Sequence, residues 1–172
     1  MRKLSIVITA LCFCTAFAMA ASAQDKTLCE RLGGTTAISA VVDSFAGKVL
    51  QDNRVNKKFA KSDATRLTTN LKGQIGAAAH CPGVKYKGKN MKNAHKNMAV
   101  TDGEFNAVAE DLVKTLDEFK VPQKEKDELL TAIGPLKKDI VEKPGDMMTS
   151  TDLPANFKPA PPLKAASKKK QM

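Results

Sequence analysis

Tryptophan is absent from this chain and tyrosine occurs once, at Tyr86, so that aromatics make up only 5% of its 172 residues. That scarcity argues against a base-stacking nucleic-acid platform and against a large aromatic-lined groove for sugars or peptides. Histidine is nearly as rare. His80 and His95 are the only two, too few for a catalytic zinc site built from three imidazoles. The four cysteines stand at 12, 14, 29 and 81, and no spacing among them makes a zinc ribbon or a C-x-x-C-H haem attachment. No G-x-G-x-x-G segment is present to bind a flavin or nicotinamide cofactor. What the chain does have is 42% hydrophobic residues, enough for a packed core, and 28 Lys and Arg against 18 Asp and Glu, a net charge of +10.

Residues 1–23 read as a secretory signal peptide. Arg2 and Lys3 supply the positive start, Leu4 to Ala20 the apolar middle, and Ala21-Ser22-Ala23 the cleavage site before Gln24. Leu11 before Cys12 and Phe13 before Cys14 are too large for a lipoprotein signal. The expected product is periplasmic or secreted, with no transmembrane span once the leader is removed. It keeps Cys29 and Cys81, whose one pairing in an oxidising compartment would stabilise the fold by about 4 kcal/mol; whether the two are close enough is open at this point. At the other end, residues 143–172 hold most of the prolines and close on Lys168-Lys169-Lys170, the composition of a disordered tail.

Between these ends, over residues 24–142, apolar residues recur at helical spacing and strands are not expected. Ile38, Val41, Val42, Phe45 and Val49 line one face; Ala64, Leu67, Leu71, Ile75 and Ala78 line another, opening at Ser62-Asp63. After Pro82-Gly83 a polar stretch leads to a short helical turn with Met91, Ala94, His95 and Met98. Thr101 to Glu104 form a capping box ahead of Phe105, Val108, Leu112, Leu116 and Phe119, and a last helix beyond Pro122 runs through Leu129, Ile133, Leu136 and Ile140. The reading is a small all-α domain.

The runs LCERLGGTTAISAVVDSFAGKVLQDNRV, KFAKSD and KYKGKNMKNAHKNMAVTDGEFNAVAEDLVKTLDEFKVP closely resemble the truncated haemoglobins of group I, from about Leu28 to Ile140. The resemblance implies a globin trimmed to a two-over-two helical sandwich, holding haem b and reversibly binding a diatomic gas such as oxygen, CO or NO. It makes His95 the proximal iron ligand and Phe45, Phe59, Leu67, Leu71, Tyr86 and Met91 the surroundings of the haem. His80 matches no ligand of the family and reads as a turn or surface residue.

The departures bear on the distal side. Where the family follows its Phe45 equivalent with a Tyr that hydrogen-bonds bound oxygen, this chain has Ala46. Where the family often has Gln, it has Leu67 and Leu71, with Asn70 the nearest polar candidate. Hydrogen bonds to a charged group are worth about 1.5 to 3 kcal/mol, so an apolar pocket of Ala46, Leu67 and Leu71 is expected to hold oxygen weakly, while CO and NO depend less on a donor.

Charge is divided along the domain. Lys48 to Lys96 carry twelve basic residues and two acidic ones, whereas Asp102 to Glu142 carry eleven acidic and six basic. In the family the basic stretch flanks the haem, which suggests a soluble surface that pairs with the haem propionates or, as the sharper reading, a docking face for an acidic redox partner or a field that draws in anions such as nitrite. The expected function is therefore a gas-binding haem protein rather than an enzyme. A redox enzyme acting on nitric oxide, nitrite or peroxide with an external electron donor is the alternative, and periplasmic haem capture or delivery a further one. Export and the missing aromatics count against nucleic acid as a partner.

Overall fold

The computed structural model describes residues 26–149. The expected leader, and the expected tail beyond Thr149, lie outside the described residues.

The chain opens with α1 (Leu28–Arg31), whose first turn is closed by reciprocal hydrogen bonds between Thr27 and Glu30. Gly33 and Gly34 follow with φ of 89° and 80°, left-handed conformations that glycine adopts without a Cβ penalty. They redirect the chain into α2 (Gly34–Gln51), which buries Ile38, Val41, Val42, Phe45, Ala46, Val49 and Leu50. A 3-10 turn, Asn56–Phe59, leads to α3 (Ala64–Ala78), capped by Asp63 accepting from the Arg66 amide at 2.9 Å. The short α4 (Met91–His95) follows a long irregular segment, and α5 (Asp102–Glu118) opens on the Thr101 and Glu104 capping box.

The last helical stretch differs from the continuous helix that periodicity predicts. It divides into α6 (Gln123–Ile133), a 3-10 turn over Gly134–Leu136, and α7 (Lys137–Ile140). Pro135 explains the break, because it lacks an amide proton and its ring crowds the carbonyl four residues back, that of Thr131. Among the described residues no strand forms; Thr101 and Lys143 make an isolated bridge.

α2 is the centre of the packing, lying against α1, α3 and α5, while α3 also meets α6 and α4 rests on α7. The core runs from Leu28 and Ile38 through Val42, Phe45 and Ile75 to Leu112, Leu116 and Leu129. Phe119, which extends the apolar stripe of α5 by spacing, is 42% exposed. It is the C-cap: the helix turns off at Lys120, with φ of 55°, and Val121 and Lys120 donate to the carbonyls of Leu116 and Asp117, a Schellman motif.

α3 ends in the same way. His80, with φ of 58°, donates to Ala77 and Cys81 donates to Gly76. The Sγ of Cys81 is bonded to that of Cys29, and the Cys29 amide donates to the Ala79 carbonyl at 2.8 Å. One covalent and one hydrogen bond thus tie α1 to the end of α3. No described helix is long and apolar enough to cross a membrane.

Residues 143–149 depart from the tail expected to begin at Lys143. They form a strap across the start of α5: the amides of Glu142 and Lys143 donate to the Val100 carbonyl at 2.9 and 3.0 Å, the Gly103 amide to the Asp146 carbonyl at 3.1 Å, and the Thr101 hydroxyl to the Met148 carbonyl. A Cβ at position 103 would lie 2.2 Å from the Met147 carbonyl oxygen, so glycine there allows the strap to close down.

Candidate functional site

His95 is the last residue of α4 and is half-buried. Its Nδ1 lies 2.8 Å from the Met91 carbonyl oxygen. A carbonyl only accepts, so Nδ1 carries the proton and Nε2 presents its lone pair. That is the tautomer a neutral imidazole needs to bind a metal through Nε2, with the backbone carbonyl fixing the ring from behind.

α4 is tethered at both ends. At its start, buried Met91 accepts a contact from the Gln74 amide at 3.2 Å, joining α4 to α3. Gln74 lies seven residues from Leu67 and three from Leu71, on the same helical face, a spacing that could have marked it. The segment entering α4 packs close to α3. A Cβ at Gly73 would sit 3.5 Å from the Lys85 carbonyl oxygen and 3.7 Å from the Tyr86 Cα, and one at Gly76 would overlap the Val84 side chain. Tyr86 donates to the Lys89 carbonyl at 2.7 Å and holds this segment in a tight loop around Gly88.

Beyond His95 the chain turns sharply. Met98 donates to the His95 carbonyl at 3.0 Å, Lys96 has φ −54° and ψ 129°, and Asn97 has φ 65°: a type II turn with asparagine at its left-handed position. The Lys58 ammonium donates to the carbonyls of Met98 and Ala99 at 2.8 and 3.2 Å and pairs with Glu104 at 3.2 Å. From the other side, Glu142 accepts from the amides of Asn97 and Ala99 at 2.7 and 2.6 Å. These amides hold its carboxyl below the usual range. Lys58 and Glu142 carry no local sequence signal, since each meets this turn from about 40 residues away along the chain.

The apolar candidates gather around α2 and α3. Phe45 and Ala46 are buried on α2; Phe59 and Leu71 are half-buried and pack against the core, and Leu67 and Asn70 are half-buried on α3. The hydroxyls of Thr68 and Thr69 donate to carbonyls within α3 at 2.8 and 2.9 Å, so they are spent on their own helix. A single imidazole with an open Nε2 and half-covered Phe and Leu side chains suit a flat, apolar, metal-bearing macrocycle such as haem. A concavity of about 470 Å³ lies instead beside the strap, lined by Lys57, Lys58, Met98, Glu104, Lys143 and Met148 among others, and none of His95, Met91, Leu67 or Leu71 borders it.

The family model described as bacterial-like globin matches residues 27–142. The chain belongs to that family. Within it, this truncated globin is 36% identical over 124 residues to the group 1 truncated hemoglobin of Tetrahymena pyriformis, covering 70% of this chain and 98% of that protein. It is 41% identical over 102 residues to the group 1 truncated hemoglobin GlbN of Synechocystis, covering 57% of this chain and 82% of the relative.

Among solved structures, the Fe(III) form of the Tetrahymena pyriformis protein superposes with a TM-score of 0.65, covering 69% of this chain and all of that one. The 2/2 hemoglobin of Synechococcus, a cyanomet structure with covalently attached heme, superposes at 0.64 with 35% identity, covering 69% of this chain and all of that one. The fold is thus the two-over-two helical arrangement of group I truncated globins.

Proposed function

We propose that this truncated globin binds haem b through His95 Nε2 and reversibly takes up a diatomic gas at the haem iron. The observation that carries the reading is the Nδ1 hydrogen bond from His95 to the Met91 carbonyl, which leaves the other nitrogen free to ligate on a helix held at both ends. Haem would supply the iron at which a gas binds; His95 would supply the ligating nitrogen, and the protein around it the apolar cover and control of polarity. Phe45, Phe59, Leu67, Leu71, Tyr86 and Met91 provide the cover. The haem-bearing relatives support the assignment.

On the distal side Ala46, Leu67 and Leu71 offer no hydrogen-bond donor and Asn70 is the nearest polar side chain; with Asn70 turned away from the ligand, oxygen is held weakly relative to CO. The test is a set of absorption spectra of the leaderless chain in ferric, ferrous, oxygen-bound and CO-bound forms, beside His95→Ala. A wild-type chain that takes up no haem would end the proposal; loss of the normal spectrum in His95→Ala alone is the expected result.

We also propose that the protein works outside the cytoplasm and receives electrons from an acidic partner. The leader-like residues 1–23 and the Cys29–Cys81 bond support export, since disulfides persist in oxidising compartments. Exposed Lys85, Lys87, Lys89, Lys92 and Lys96, on the approach to His95 and around it, support the partner.

A further inference from the structure

The turn that follows His95 is held in an expensive conformation. Asn97 and Ala99 both have left-handed backbones, φ 65° and 51°, flanking Met98. Asparagine tolerates this region, but alanine does so at a cost and persists there only where its surroundings impose it. The imposing group is Glu142. Its two carboxylate oxygens separate, one to the Asn97 amide at 2.7 Å and the other to the Ala99 amide at 2.6 Å, so both orphan donors of the turn are satisfied by one charged acceptor. The main chain of Glu142 is fixed in turn, its amide donating to Val100 at 2.9 Å. The opposite edge of the turn, its carbonyls, is gripped by Lys58.

We infer that Glu142 is a positioning residue for the proximal ligand. By clamping the turn that begins at the His95 carbonyl, it sets where α4 ends and how the imidazole is aimed. The strap of residues 143–149, which Glu142 leads into and which is anchored on the start of α5, thereby becomes part of the proximal side of the site. Four residues from the ligand, the Met91 carbonyl fixes the tautomer; two residues beyond it, Glu142 fixes the backbone. The inference rests on His95 being the haem ligand, as proposed above.

Glu142→Gln is the sharp probe, because it keeps shape but replaces one acceptor oxygen by an NH2 group that faces an amide donor. In the haem-loaded chain, the iron–histidine stretching band of the ferrous form is expected to shift and broaden. Haem transfer to an excess of an apo-globin acceptor is expected to accelerate about tenfold, the lower end of what removal of a group supporting a metal ligand costs. In the chain without haem, amide exchange at Asn97 and Ala99 is expected to quicken. Glu142→Asp keeps the charge and should recover part of the band position. Glu118→Gln, which removes the same charge at an exposed pair with Lys48, should leave band and transfer rate at their wild-type values.

Wild-type band and transfer rate in Glu142→Gln would overturn the inference while leaving the haem assignment standing. A wild-type chain without haem would overturn both, and is visible before any variant is made.

Discussion

Single residues decide two properties of this globin. Ala46 is fully buried on α2, and the resemblance to group I truncated globins puts it where a Tyr donor would stand, so in the proposed pocket α2 would supply no hydrogen-bond donor and Asn70 would be the nearest polar side chain. Ala46→Tyr is expected to slow oxygen dissociation by about tenfold or more, since a hydrogen bond to a charged group is worth about 1.5 to 3 kcal/mol, while leaving CO release nearly unchanged. Flash photolysis of both ligands checks it, and equal effects on the two gases would show that the new side chain acts by bulk. The second residue is Asp111. Burial, then the charge of Asp52, push its carboxyl up to about 6 against the pull of Arg54, whose Nη2 lies 3.9 Å away. Unfolded, the group ionises near 3.8, so in the interval the folded state holds a proton that the unfolded state has released. Stability therefore falls as pH rises through this window, and the loss is complete above it. Asp111→Asn removes the ionisation and is expected to be more stable than wild type by about 1 to 2 kcal/mol at neutral pH, the gap closing near pH 4. Urea denaturation at the two pH values reads this directly; a variant weaker at neutral pH would mean that the attraction of Arg54 outweighs burial.

At the level of elements, the helices that bury a clean stripe were legible in the linear pattern. Asp63 and the box of Thr101 and Glu104 cap where their types and spacing say they should, because N-caps are made by side chains within four residues of each other. The helix ends were harder to read. Lys120 and His80 stop α5 and α3 in left-handed conformations without the glycine that usually marks such an end, and the strap over α5 depends on contacts from residues more than 40 positions away. The same division holds for the site: Leu71 stands out by period and the resemblance singles out His95 and Phe59, whereas the Glu142 and Lys58 clamps exist only once the chain is folded. The end of α3 offers a direct test. Glycine escapes the steric cost of the left-handed region and gives back part of the gain as chain entropy, so His80→Gly is expected to add about 0.5 to 1 kcal/mol of stability. Its haem spectrum should be that of wild type, since His80 is exposed at the turn; a changed spectrum would bring His80 into the site. Breaking the neighbouring bond with Cys29→Ser and Cys81→Ser together is expected to cost about 2 to 4 kcal/mol by freeing a loop of 52 residues, measured as a lowered unfolding midpoint.

Over the whole molecule the dominant feature is the separation of charge. The stretch from Lys48 to Lys96 is strongly basic and the stretch from Asp102 to Glu142 acidic, so the net charge of +10 understates the asymmetry. Several cations of the basic half are consumed internally: Lys58 by Glu104 and two carbonyls, Arg54 by Asp52 and Glu110, Lys72 by Asp43. The exposed lysines at 85, 87, 89, 92 and 96 form no ion pair among the described residues and cluster along the segment that delivers His95. A cluster of one sign speeds encounter with an oppositely charged protein, and salt screens it over about 10 Å at 0.1 M. Reduction of the ferric protein by a small acidic electron-transfer protein such as a flavodoxin should therefore slow by about tenfold between low and high ionic strength. Replacing Lys85, Lys87 and Lys89 together by Glu should slow it comparably at low salt and flatten the salt dependence, whereas Lys124→Glu on the acidic half should change neither. Stopped-flow reduction at several salt concentrations separates these cases. A rate indifferent to both salt and the triple replacement would mean that electrons reach this globin from an uncharged donor and that the basic face serves solubility alone.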